Sequence, residues 1–248
     1  NDGRYADQYV ERVTENTVKC QEFLTRTKST VANMVQQFQM KQAADADKRT
    51  SVAKTGVLDT INMINYRWSE DIFMKNEVHT DGKNHGIVMY IDWSGSMSNI
   101  IADTVEQLLI LTEFCQKVNI PFDVYAFTST NKNLDWYEMR HEGLLCDGDI
   151  DLDMLAMPNL VSSKMKKADF EDAIKNLYLR SKVDRYVARE MCGQSEDFGS
   201  TPLDQALIVA HHLIKEFKSK NQVEVMNLVT FTDGDANGLN NIQMKGLD

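Results

Sequence analysis

The sequence predicts an α/β chain in which a doubly wound, mainly parallel sheet follows a helical N-terminal region. Three observations carry this. Residues 86–92, GIVMYID, form an apolar run without the polar alternation of a half-exposed strand, the pattern of a strand buried on both faces. Residues 225–231, VMNLVTF, make a second such run. Between the two, segments with apolar residues at helical spacing alternate with shorter strand-like runs, as in strand–helix–strand units.

Residues 4–47 contain neither glycine nor proline, and apolar residues recur through Tyr9, Val13, Val18, Phe23, Leu24, Val31, Met34, Val35 and Phe38. This predicts two helices or one bent helix, with the stripe spent on core or inter-helix contacts. Residues 41–51, KQAADADKRTS, lack an apolar stripe and predict a solvated helix end and loop. A short second helix is expected over residues 55–66 and a strand edging the domain over 68–77. Asp81-Gly82-Lys83-Asn84 then makes a turn. The expected division is a helical region over residues 1–80 and an α/β domain over 81–248.

After the first buried strand, Ser94, Gly95 and Ser96 make a tight turn, with Ser98 or Asn99 available to cap the next helix. That helix carries Ile101, Thr104, Val105, Leu108, Leu109, Leu111, Thr112 and Cys115, and Asn119-Ile120-Pro121 ends it. FDVYAF, residues 122–127, is the next strand, and its order after a helix implies a right-handed parallel crossover. Residues 129–198 form an insertion, with a hairpin-like excursion over 130–142 and an acidic loop over 146–153. A helix over 165–187 follows, with Phe170, Ile174, Leu177 and Tyr178 on one face. A loop at Gly199, Ser200 and Thr201 leads to a helix with Leu203, Ala206, Leu207, Ala210, Leu213 and Ile214 as its buried stripe. The chain stops at Asp248, so the C-terminal end of the sheet is expected to be incomplete.

The chain's 248 residues can bury a substantial core, and 26% charged with 42% hydrophobic residues is ordinary for a soluble domain. A formal charge of −10 argues against nucleic-acid binding and favours the local accumulation of divalent cations. No run reaches the length of a membrane helix, and no signal peptide opens the chain. Four cysteines, Cys20, Cys115, Cys146 and Cys192, stand without metal-ligand spacing and predict reduced thiols in a cytoplasmic protein.

The candidate chemistry lies at the first buried strand. Asp92 falls at its carboxyl edge, where open α/β sheets bind ligands. One carboxylate and the hydroxyls of Ser94 and Ser96 suit a hard cation such as Mg²⁺, which prefers oxygen donors. Asp-x-Ser-x-Ser resembles the metal-ion-dependent adhesion site (MIDAS) of von Willebrand factor A (VWA) domains, a Rossmann-like fold. By that resemblance Thr201 and Asp233 complete the metal set, with Mg²⁺, Mn²⁺ or Ca²⁺ as the ion, while Asp235 stands farther out. Trp93 departs from the small or polar residue commoner at its position in the family. Lys48-Arg49 and Gly56-Val57-Leu58-Asp59 resemble the run before the VWA domain in the CobT cobaltochelatase subunit and related bacterial and phage proteins. That implies a non-catalytic adaptor for a MoxR- or CobS-type AAA+ ATPase in a chelatase-like or remodelling complex. A partner carboxylate would bind at the metal.

Other chemistries are weighed against this one. A serine hydrolase needs Gly-x-Ser-x-Gly, and Asp92 occupies the first glycine position. An aspartyl phosphotransferase wants Asp-x-Asp where the chain has Asp92-Trp93-Ser94. A capped turn without ligand, an extracellular adhesion module and hydrolase activity through Ser94 or Ser96 remain as alternatives. His79, Asp81 and His85 lack a zinc pattern, and Asp147, Asp149, Asp151 and Asp153 lack the glycine and glutamate of a calcium loop. His211 and His212 read as packing or surface residues. No Gly-x-x-x-x-Gly-Lys-Ser/Thr loop is present for ATP.

Overall fold

The computed structural model describes residues 2–49, 51–58, 67, 73–78, 84–129, 152, 155–182, 199–234 and 236–239. The chain forms two compact units, one of residues 1–31 with 84–248 and one of residues 32–83. Helix α1, Asp2–Arg49, is continuous over 48 residues. It therefore runs through the stretch where a solvated loop was expected from residue 41. Lys, Gln, Ala and Arg are good helix formers, and lacking an apolar stripe does not end a helix that contains no glycine or proline.

In the smaller unit, strand β1, Ser51–Leu58, pairs antiparallel with β2, Phe73–Val78, from Ser51 opposite Val78 to Leu58 opposite Phe73. This corrects the second helix expected from residue 55, at least as far as Leu58. Val52, Thr55 and Val57 are β-branched and fit a pleated surface, and Gly56 is costly inside a helix. Residues 59–66 lie outside the described residues. The strand expected over 68–77 is present in part as β2, but its partner is β1 rather than the main sheet.

The larger unit is built on β3, His85–Asp92. Strand β4, Phe122–Ser129, lies parallel to it on one side, with Ile87 opposite Phe122 and Asp92 opposite Phe127. Strand β7, Val225–Phe231, lies parallel on the other, with Ile91 opposite Phe231. Short strands β5, Leu155–Ala156, and β6, Asn159–Ser162, add antiparallel pairing to β4, giving a mixed five-stranded sheet. Among the described residues β7 pairs only with β3, and its side chains are half-buried apart from exposed Asn227.

Helices cover both faces. Met89 and Ile91 of β3 pack into a core with α2, Ile101–Lys117, with α3, Lys167–Ser181, and with Cys20 and Phe23 of α1. Val88 and Tyr90 point the other way, toward Ala206, Ala210 and Phe217 of α4, Leu203–Asn221. Each residue of β3 from Val88 to Asp92 is buried, as the unbroken apolar run predicts for a strand with helices above and below. Gly86 lets α4 approach closely. A Cβ there would stand 2.8 Å from the Phe217 ring and 2.9 Å from Met226 Sδ. On α3, Phe170, Ile174, Leu177 and Tyr178 are buried as expected. Leu207 on α4 departs from the predicted stripe at 44% exposed, as does Val18 on α1 at 50%. Glu106 of α2 pairs with Lys182, just beyond α3, at 2.9 Å and with Arg26 of α1 at 3.7 Å.

Candidate functional site

Topology selects one place on this sheet. From β3 the chain crosses through α2 to β4 on one side, and it later returns through α4 to β7 on the other. The direction of winding reverses at β3, and a crevice opens at the carboxyl ends of strands where such a reversal occurs. Asp92 is the last residue of β3.

Asp92 is fully buried. Its Oδ2 accepts a hydrogen bond from Thr232 Oγ1 at 2.9 Å, while Oδ1 has no partner with hydrogen-bond geometry. Burial pushes the carboxyl pKa above its ordinary value; hydrogen bonding at Ser94 and Thr232 works against this, and the charge of Asp233 adds to the rise. A buried anion with one idle oxygen and a like charge nearby is an unfavourable arrangement on its own. A cation would relieve both defects.

The serine turn is tied down by its backbone. The Trp93 N–H donates to Phe127 O at 2.9 Å, and the Gly95 N–H donates to Gly199 O at 3.0 Å. Ser94 forms a parallel bridge with Gly199, and Ser94 Oγ lies 3.0 Å from Ser96 Oγ. Ser94 is buried and Ser96 exposed, so the hydroxyl pair runs from the interior toward the surface. The expected cap at Ser98 or Asn99 is not used. A 3₁₀ turn, Ser96–Asn99, occupies those residues, and α2 begins after Ile100 without a side-chain cap. Met97 is buried in the core and anchors that turn.

Thr201 sits in the second loop. The Gly199 N–H donates to Thr128 Oγ1 at 3.0 Å, and the Ser200 N–H donates to Ser129 Oγ at 2.7 Å. Gly199 can have no side chain here, since a Cβ would lie 2.5 Å from both Ser129 O and Ser129 Oγ. Thr201 is buried, and its carbonyl accepts the Asn237 N–H at 2.9 Å, which binds this loop to the segment after β7. Asp233 is exposed in that segment. The Gly234 N–H reaches Thr232 Oγ1 at 3.2 Å, and Gly234 has φ +97°, a conformation that favours glycine.

The loops carrying Asp92, Ser94, Ser96, Thr201 and Asp233 are thus joined at one sheet edge, Thr201 through its backbone. Thr232, which donates to Asp92, is not singled out by the sequence motif. Thr128 and Ser129 were missed likewise. Their signal is a hydroxyl directly after an apolar run: Phe231-Thr232 and Phe127-Thr128-Ser129. Asp235, His79 and Asp81 lie outside the described residues, as do Cys146, Cys192 and, apart from Leu152, residues 146–153. His85 is exposed at the opposite end of β3 from Asp92, and His211 and His212 are exposed on α4. Cys20 and Cys115 are buried free thiols.

Among the described residues no group of three or more His, Cys, Asp or Glu side chains is placed to hold a metal ion. The candidate set is instead two carboxylates with three hydroxyls. Such an all-oxygen set fits a hard cation and not zinc. Among the described residues no helix is long and apolar enough to cross a membrane. Set against protein-family models, curated proteins and solved structures, the chain matches none of them.

Proposed function

We propose that the chain is a divalent-metal-dependent protein-binding module of the VWA type, acting in the cytoplasm as an adaptor for a MoxR- or CobS-type AAA+ ATPase. Its metal ion would be Mg²⁺, with Mn²⁺ or Ca²⁺ as substitutes. The observation that carries the metal reading is Asp92: fully buried, with Oδ1 lacking a partner and Asp233 adding a second negative charge nearby. In this reading Asp92 and Asp233 hold the ion directly or through water, and Ser94, Ser96 and Thr201 offer neutral oxygens. Neutral donors leave the cation under-compensated, so it would attract an Asp or Glu side chain from a partner. The chemistry the ion supplies is recognition of a carboxylate, and nothing is turned over.

The ATPase part of the proposal rests on the Lys48-Arg49 and Gly56-Val57-Leu58-Asp59 resemblance. The test is affinity purification of the full-length protein from its native cells, in Mg²⁺ and then in EDTA. An AAA+ ATPase released only on chelation is the expected result. Recovery of the same proteins with and without metal would overturn the metal-dependent reading, and metal-dependent recovery of a surface protein alone would overturn the adaptor.

A further inference from the structure

Among the described residues, a cavity of about 290 Å³ opens between the β4–β6 edge and α3. Its α3 wall is a single helix face, because Ala173, Asn176, Leu177 and Arg180 follow at i, i+3, i+4 and i+7. Opposite stand Ala126 and Thr128, which share one face of β4, and Trp93, the residue between Asp92 and Ser94. The space has a sequence cause. Of the α3 residues that line it only Leu177 is buried; Ala173 and Arg180 are half-buried and Asn176 is exposed, and they face a small alanine and a threonine. Long apolar residues on either side would close the gap, and empty volume costs stability.

We propose that this cavity is a binding site for a small organic monocarboxylate with a flat apolar body. The Trp93 ring and Leu177 supply an apolar wall of the kind ligand cavities present. Arg180 supplies the head-group contact. Its guanidinium carbon lies over the Trp93 ring, 5.6 Å from the ring centroid. Five N–H donors let one guanidinium serve a carboxylate while keeping other contacts. A single cation among the lining residues matches a monoanion better than a phosphate, and the chain's formal charge of −10 disfavours more highly charged ligands. The side-chain amide of Asn176, one turn before Arg180, adds a further donor.

The test uses the full chain in EDTA, so that no carboxylate can bind through a metal. Benzoate is titrated while the Trp93 indole N–H is followed by NMR, the signal being identified by its loss in Trp93→Phe. Saturable binding with a dissociation constant on the order of millimolar is expected for a ligand of this size. Benzamide, neutral and of the same shape, should bind at least tenfold more weakly, and so should benzoate to Arg180→Met. Ala173→Leu, which fills the cavity, should remove binding. Absence of a saturable shift overturns the proposal, as does equal binding of benzamide. The benzamide comparison needs only the unaltered chain, so it decides the matter even if a variant fails to fold.

Discussion

Thr232 Oγ1 donates to Asp92 Oδ2 at 2.9 Å across 140 positions of sequence, and the same oxygen accepts the Gly234 N–H at 3.2 Å. One hydroxyl thus fixes both the turn after β7 and the orientation of the carboxylate at the end of β3. With Oδ2 held, Oδ1 is the oxygen left for a ligand.

Thr232→Val keeps the side-chain shape and removes the hydroxyl, leaving Asp92 Oδ2 unpaired in a buried site. In EDTA the variant should lose about 1–3 kcal/mol of stability, measured by urea unfolding, with Thr232→Ser recovering most of it. An unchanged midpoint would show that the hydrogen bond carries no weight.

Asp92→Asn discriminates a metal ligand from a structural carboxylate. Without metal it should be no less stable than the native chain, since it removes a buried charge. With Mg²⁺ at a hundredfold excess over its dissociation constant, the native chain should gain about 2.7 kcal/mol and the variant nothing. Thermal unfolding in EDTA and in Mg²⁺ reads both. Thr201→Ala should weaken Mg²⁺ binding less than Asp92→Ala, because it removes one neutral donor; an equal loss would reverse that ranking.

Gly199→Ala places a methyl group 2.5 Å from Ser129 O, a backbone atom that cannot swing aside. The expected cost is about 1–3 kcal/mol by urea unfolding. Because Gly95 bonds to Gly199, the serine turn should shift with it, and Mg²⁺ affinity should fall together with stability. A variant that keeps native affinity would mean that the two loops are independent.

Glu113 on α2 provides a pH test away from the site. Burial raises its carboxyl pKa, opposed by the charges of Lys117 and Lys28. The folded chain therefore holds this proton more tightly than the unfolded chain does. Its contribution to stability is full below the ordinary glutamate value and is lost as pH rises through the raised folded value. Glu113→Gln should accordingly stabilise the chain at neutral pH, and the gain should vanish in acid below the ordinary value. Urea unfolding at both pH values checks this, and a gain that persists in acid would assign it to packing.

Much of the larger unit was legible because its signals are local. The run from Ile87 to Ile91 needs helices on both faces whatever surrounds it, and Phe170, Ile174, Leu177 and Tyr178 mark one helix face by spacing alone. The hairpin of β1 and β2 was not legible. Whether Val52, Thr55 and Val57 enter a strand depends on a partner some twenty residues away, at Phe73–Val78. At the candidate site Asp92, Ser94 and Ser96 lie within one turn and announce themselves. The hydroxyls that fix the loops do not, because Thr232 and Thr128 gain meaning only once β4 and β7 flank β3.

The placement of β7 beside β3 also bears on how the chain folds. These strands pair residues about 140 positions apart, as in Ile91 with Phe231, whereas β3 and β4 pair at about 35. Loop closure is costlier for the longer connection, and non-local pairing is slow. The β3–α2–β4 unit would form first, and the edge that gathers Asp92, Thr232 and Asp233 would close late. A cation that bound there would stabilise contacts formed late, and so would lengthen the native lifetime while leaving the refolding rate nearly untouched.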